Sequence, residues 1–92
     1  MAKYLVEVPH SAEKLSCLRA IQIFLNTGNH FLVNAEWGCM DGVHKSWFIM
    51  DANSKDEVMM IIPPFFRRDT LITRLVKFDM HEVEKMLAEH LA

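Results

Sequence analysis

Tyr4, Val6 and Val8 alternate with Leu5 and Glu7, so residues 3 to 9 read as a first strand. Pro9 ends it, because proline has no N–H to give a central ladder. The period then changes. Ser11 is a suitable N-cap for a helix that places Leu15, Leu18, Ile21 and Leu25 along its inner side, with Cys17 and Phe24 beside them. Asn26-Thr27-Gly28-Asn29 ends that helix, Gly28 serving as a left-handed cap. Phe31, Val33, Ala35, Trp37 and Cys39 alternate with Asn34, Glu36 and Gly38, which predicts a half-buried second strand. A third strand, about residues 43 to 51, is apolar on both faces: Trp47 and Ile49 on one, Phe48 and Met50 on the other. Ser54-Lys55-Asp56-Glu57 is a capping box that opens a second helix, and Pro63-Pro64 stops it. Leu71 to Phe78 supplies strand four. Asp79-Met80-His81-Glu82 then opens a terminal helix with Val83, Met86, Leu87 and Leu91 inward.

The predicted order is βαββαβα, an α+β fold. Asp41-Gly42 is a strong two-residue hairpin signal, because both positions favour positive φ. With the right-handed crossover rule, it predicts a ferredoxin-like, four-stranded antiparallel sheet in the order 4-1-3-2 with helices on one face. The hairpin register sets 37 opposite 46 and 39 opposite 44, so Cys39 and His44 share a face with Trp37 and Phe48. Trp37 and Trp47 fall on opposite faces. Strand three still offers apolar side chains to the face without helices, and a second copy of the same sheet is the simplest cover. A homodimer is expected.

Composition narrows the function classes. Ninety-two residues suit one domain, spanning 1–92, since so short a chain buries only roughly 60–65 % of its unfolded surface. A hydrophobic content of 51 %, with seven Met and six Phe, exceeds what a lone small domain easily hides. The formal charge of −2 and the lack of an aromatic-basic ladder argue against nucleic acid. Two cysteines are no disulfide scaffold and read as reduced thiols of a cytoplasmic protein. The longest apolar run, Val58 to Phe66, is too short for a bilayer and holds two prolines, so a soluble protein is expected.

The topology gathers the chemistry at one end of the sheet. His10, Cys39, Asp41 and His44 meet there, and Pro63-Pro64-Phe65-Phe66-Arg67-Arg68 arrives beside them. A His10, Cys39, His44 set can hold Zn(II), Cu or Fe, for which imidazole and thiolate are suitable ligands. The same three can move protons, with His44 or His10 as base and Cys39 as partner. Trp37, Phe48 and Phe65 would line a ligand cavity, and Arg67 or Arg68 would orient an anionic group through a guanidinium fork. His30, His81 and His90 read as surface residues.

With these elements placed, the whole chain resembles the dimeric α/β-barrel superfamily, which includes muconolactone isomerase, small antibiotic-biosynthesis monooxygenases and stress-responsive barrel proteins. The likeness lies in length, element order and the apolar-Pro-Pro-Phe segment before the last strand. Trp37-Gly38-Cys39 with Asp41-Gly42 and His44, then Pro63-Pro64 and Arg67, is more similar to a family of small prokaryotic proteins. The resemblance implies two sheets packed face to face and a pocket between each sheet and its own helices. Three functions follow as expectations. The first is a small-molecule-binding protein or enzyme, with isomerisation or cofactor-free oxygenation as its chemistry. The others are a metal-binding protein using His10, Cys39 and His44, and a non-catalytic dimeric interaction protein. Whether the site uses a transition metal or no cofactor is left open by the residues alone.

Overall fold

The structure is a computed structural model and describes residues 1–91. Its elements are β1 (Ala2–Pro9), α1 (Lys14–Asn26), α2 (His30–Val33), β2 (Glu36–Trp37), β3 (Lys45–Ala52), α3 (Lys55–Ile61), α4 (Pro64–Arg67), β4 (Leu71–Leu75) and α5 (Met80–Leu91). A 3-10 turn, Cys39–Asp41, lies between β2 and β3. The fold is α+β. All strand pairs are antiparallel and the order across the sheet is β2-β3-β1-β4, which read from the β4 edge is 4-1-3-2.

The alternation in β1 decides which face is covered. Tyr4, Val6 and Val8 are buried together with Phe48, Met50 and Ala52 of β3, against Ala20, Phe24, Leu32, Val58, Ile62 and Phe66 from the helices and their flanks. The opposite face carries Leu5, paired with Ile49 and Thr73, and Glu7, paired with Trp47 and Leu71. Ile49 and Leu71 are each about half exposed, so this face is open in a single chain and carries an apolar patch among Lys3, Glu7 and Asp51.

Local signals explain most element ends. Ser54 Oγ accepts from Glu57 N–H at 3.1 Å, and Glu57 Oε2 accepts from the Asn53 N–H at 3.1 Å, so side chains satisfy the donors at the start of α3. Pro64 opens α4, where a missing N–H costs nothing. Asp79 Oδ1 accepts from Glu82 N–H at 2.8 Å and caps α5.

Four expectations are corrected. Residues 30–33 are helical rather than the start of a long strand, because Asn29 Oδ1 accepts from the N–H groups of Phe31 and Leu32 and closes a helical turn. Only Glu36–Trp37 remains as β2, and Leu32, polar-facing in the alternating reading, is fully buried. The two-residue Asp41-Gly42 turn is replaced by a wider loop, since only Gly42 takes positive φ (78°) and Asp41 does not. Trp37 still pairs with Ser46, but Gly38 N–H bonds the Lys45 carbonyl and Val43 N–H bonds the Gly38 carbonyl. The face that α1 buries is Cys17, Ala20 and Phe24, spaced i, i+3, i+7, whereas Leu15, Leu18 and Leu25 are over half exposed. Its cap is Glu13 without a side-chain bond, Ser11 Oγ accepting instead from Glu13 N–H at 3.2 Å. Finally, strand four stops at Leu75, and no residue of α5 is buried. Val83, Met86, Leu87 and Leu91 face outward from a molecule 56 Å long and 28 by 21 Å across.

Gly38 holds the loop that replaced the tight hairpin. A Cβ there would lie 2.6 Å from the Val43 carbonyl oxygen and 2.8 Å from the Trp47 ring. Gly38→Ala is therefore expected to destabilise the protein by about 1–3 kcal/mol, as overpacking does. Urea unfolding measures it, and a loss under about 0.5 kcal/mol, the range of ordinary surface changes, would show that the loop yields freely.

Candidate metal centre

Four side chains from four short segments converge at the end of the sheet where β1 stops. His10 follows β1, and its N–H bonds the His44 carbonyl at 3.1 Å, which ties the exit of β1 to the residue before β3. Cys17 lies in the first turns of α1, where its N–H bonds the Glu13 carbonyl at 2.8 Å. Cys39 opens the 3-10 turn, whose left-handed cap at Gly42 lets the chain reverse toward His44. The Nε2 of His10 lies 3.1 Å from Cys39 Sγ and 3.3 Å from Cys17 Sγ, and the two sulfurs are 3.2 Å apart. The His10 and His44 rings meet edge to face at 5.5 Å. One donor atom from each of the four residues lies within 4.8 Å of all the others.

The surroundings are apolar. Trp37 packs edge-on against His10 at 5.4 Å and against Phe24 at 4.9 Å, so it walls the centre and joins it to the core. Cys17 is buried; His10, Cys39 and His44 are half-buried. Both imidazoles leave a nitrogen unsatisfied: His10 Nδ1 and His44 Nδ1 are buried without a partner at hydrogen-bonding geometry. Such atoms are uncommon in native interiors and call for a cause. Ser46 Oγ, in the adjacent strand, is the third among the described residues.

This environment disfavours charge on the free side chains. Burial first, and then neighbouring His44, lower the pKa of His10 from 6.5, with the Val8 backbone partly opposing. Burial, then the hydrogen bond and proximity of Cys17, push the Cys39 thiol from 9.0 up to about 11. The two shifts bear on stability with opposite signs. His10 binds its proton more weakly folded than unfolded, so its contribution is present above pH 6.5 and is lost as pH falls below it. Cys39 holds its proton more tightly folded, so its contribution is present below pH 9 and is lost as pH rises toward 11. Metal-free protein is therefore expected to melt highest between about pH 7 and 9, with a fall on both sides. A melting temperature still rising between pH 9 and 11 would contradict the Cys39 assignment.

The expected trio His10, Cys39 and His44 is thus brought together, and Cys17, expected as a reduced thiol beside the inner side of α1, joins it as a fourth donor. Its signal was available. Cys17, Ala20 and Phe24 form a small, regular inward stripe, and the helix begins only a few residues after His10. The other expected residues lie elsewhere. Asp41 is exposed and outside the donor group. Phe48 is buried in the core, stacked on Phe31. Arg67 is occupied as a helix cap, its Nε donating to the Ile62 carbonyl at 2.8 Å and Nη2 to the Met60 carbonyl at 3.4 Å; Arg68 is exposed. Phe65 is exposed on the wall of a cleft of about 560 Å³ that also borders His10, Arg19, Ile23 and Asp69.

No protein-family model, curated protein or solved structure matches this chain.

Proposed function

We propose that the protein binds one transition-metal ion through His10, Cys17, Cys39 and His44, with Zn(II) the ion best suited to the set. The observation that carries this is the convergence of four donor atoms within 4.8 Å. Zinc takes sulfur at about 2.3 Å and imidazole nitrogen at about 2.0–2.1 Å in a tetrahedron, which separates neighbouring donors by about 3.3–3.8 Å. The nitrogen–sulfur and sulfur–sulfur distances, 3.1 to 3.3 Å, are shorter than that range, so these donors must move apart by about 0.3–0.6 Å to admit the ion. Two thiolates and two imidazoles are a soft, borderline donor set that suits zinc better than calcium or magnesium, which take oxygen. Binding would also replace the proton that burial now holds on the Cys39 thiol.

Four protein ligands fill a tetrahedron, which is the form of structural zinc sites; catalytic ones keep a position for water. The centre therefore locks the exit of β1, the start of α1 and the 38–44 loop together rather than activating a substrate. This reading favours the metal-binding expectation over the enzyme one. Titration of the reduced protein with Zn(II) against a chromophoric chelator should show one ion per chain withheld from the chelator. Complete retention of zinc by the chelator would refute the proposal.

The same reading takes the ferredoxin-like domain to act as a homodimer that covers the open sheet face. Leu5, Trp47, Ile49, Leu71 and Leu75 share that face, on the side away from Tyr4, Val6 and Val8. An apolar patch built from three neighbouring strands is unusual on a monomer and fits a matching copy of itself across a two-fold axis.

A further inference from the structure

We propose that Cys17 and Cys39 also form a reversible intramolecular disulfide, a second state of the centre that excludes the metal. The dithiol pair stands by itself; only the exclusion of metal rests on the reading above. The two sulfurs are in contact at 3.2 Å, while the cysteines stand 22 positions apart in sequence and belong to different elements. A disulfide needs the sulfurs to close to about 2.05 Å, an approach of roughly 1.2 Å. Cys39 sits in the 3-10 turn. Cys39 is half-buried there beside fully exposed Met40, whereas Cys17 is buried and held in α1.

The difference in exposure assigns the roles. The oxidant is a small disulfide such as oxidised glutathione. Cys39 sulfur attacks one of its sulfurs, forming a mixed disulfide and expelling one thiolate. Cys17 sulfur then attacks Cys39 sulfur, forming the Cys17–Cys39 bond and expelling the second thiolate. The two cysteine protons end on the two released thiols, and two electrons pass from the cysteine pair to the oxidant. His10 Nε2, 3.1 Å from Cys39 Sγ and 3.3 Å from Cys17 Sγ, is placed to take each proton as its sulfur attacks. Contact between the sulfurs places Cys17 for the second displacement. The bond would remove both sulfur ligands and leave two imidazoles, too few to hold zinc in a structural site. Bound zinc, occupying both thiolates, would in turn protect them.

The test uses the whole reduced chain, metal-free and zinc-loaded, in oxidised and reduced glutathione mixtures. Intact mass and thiol titration follow the reaction, and a chromophoric chelator follows zinc. Metal-free protein should lose two hydrogen atoms and both reactive thiols without becoming a covalent dimer. Cys17→Ser should stop at the glutathione adduct on Cys39, and Cys39→Ser should stay largely unmodified because Cys17 is buried. Zinc-loaded protein should react at least tenfold more slowly and release one zinc per disulfide formed. Stable glutathione adducts or intermolecular disulfides in the wild type would overturn the proposal even if zinc binds normally. Disulfide formation with no zinc binding would leave the dithiol pair standing and remove the metal reading together with the exclusion.

Discussion

Cys17→Ser is expected to weaken zinc binding by more than about 100-fold while the metal-free protein remains folded. Residues that merely orient a metal ligand already cost 10–100-fold when changed, so loss of a ligand must cost more. The effect on stability is large too. Zinc at about 100 times its dissociation constant stabilises the folded state by about 2.7 kcal/mol, or roughly 10–20 °C in melting temperature for a domain of this size. Wild-type protein should show that rise on adding zinc and lose it with a chelator, whereas Cys17→Ser should melt at nearly one temperature in both. Serine keeps the size of the side chain, and Cys17 lies at the first buried position of α1, so metal-free unfolding in urea shows separately whether packing has suffered. Equal zinc affinity in the variant and the wild type would place Cys17 outside the centre.

Trp47→Glu is expected to convert the protein to a folded monomer. Trp47 lies on the open sheet face, with its Nε1 donating to Glu7 Oε1 at 3.0 Å and Glu7 opposite it in the register. Glutamate there removes an aromatic anchor, sets a like charge beside Glu7 and carries a carboxylate into the proposed apolar interface. Truncating an interface tryptophan alone costs about 2–4 kcal/mol, or 30- to 1000-fold in dimer affinity, and the added charge increases the loss. The monomer should survive because the helix-covered core, Val6, Val8, Phe24 and their neighbours, lies on the other side of the sheet. Light scattering at micromolar concentration decides it. A wild type that is already monomeric would end the dimer proposal.

The fold was legible wherever local chemistry and burial agreed. The alternation of β1, the two-faced β3 and the Ser54–Glu57 capping box each carried their meaning in a few adjacent residues, and the structure keeps all three. Elsewhere a local signal lost to a competitor. Asn29 offered its side chain to two backbone donors and wound residues 30–33 into a helix against their alternating pattern. The Asp41-Gly42 pair promised a tight turn, but bonds from Gly38 to Lys45 and from Val43 back to Gly38 spread the reversal over seven residues. Even so, Cys39 and His44 met, because Trp37 kept its register with Ser46 and the loop closed on the same end of the sheet.

The fourth donor was hidden because the apolar pattern of α1 pointed to another helix face. In α1 the larger leucines suggested the buried side, yet the sheet accepted the smaller residues, Cys17 and Ala20, and left Leu15 and Leu18 outside. Cys17 on that buried side lies within 3.3 Å of His10 Nε2. Similarly, Arg67 looked free to meet a substrate, although Pro63-Pro64 had stripped α3 of its continuation and left the Met60 and Ile62 carbonyls for the guanidinium to cap. The outward apolar stripe of α5 followed from neither pattern nor spacing, since amphipathicity says that a helix has a partner face without saying where the partner is.

X-ray absorption at the zinc edge, on protein loaded with one equivalent of Zn(II), examines the central claim most directly. The account predicts a four-coordinate ion with two sulfur neighbours at about 2.3 Å and two nitrogen neighbours at about 2.0–2.1 Å. A shell made only of oxygen and nitrogen, with no sulfur, would contradict it.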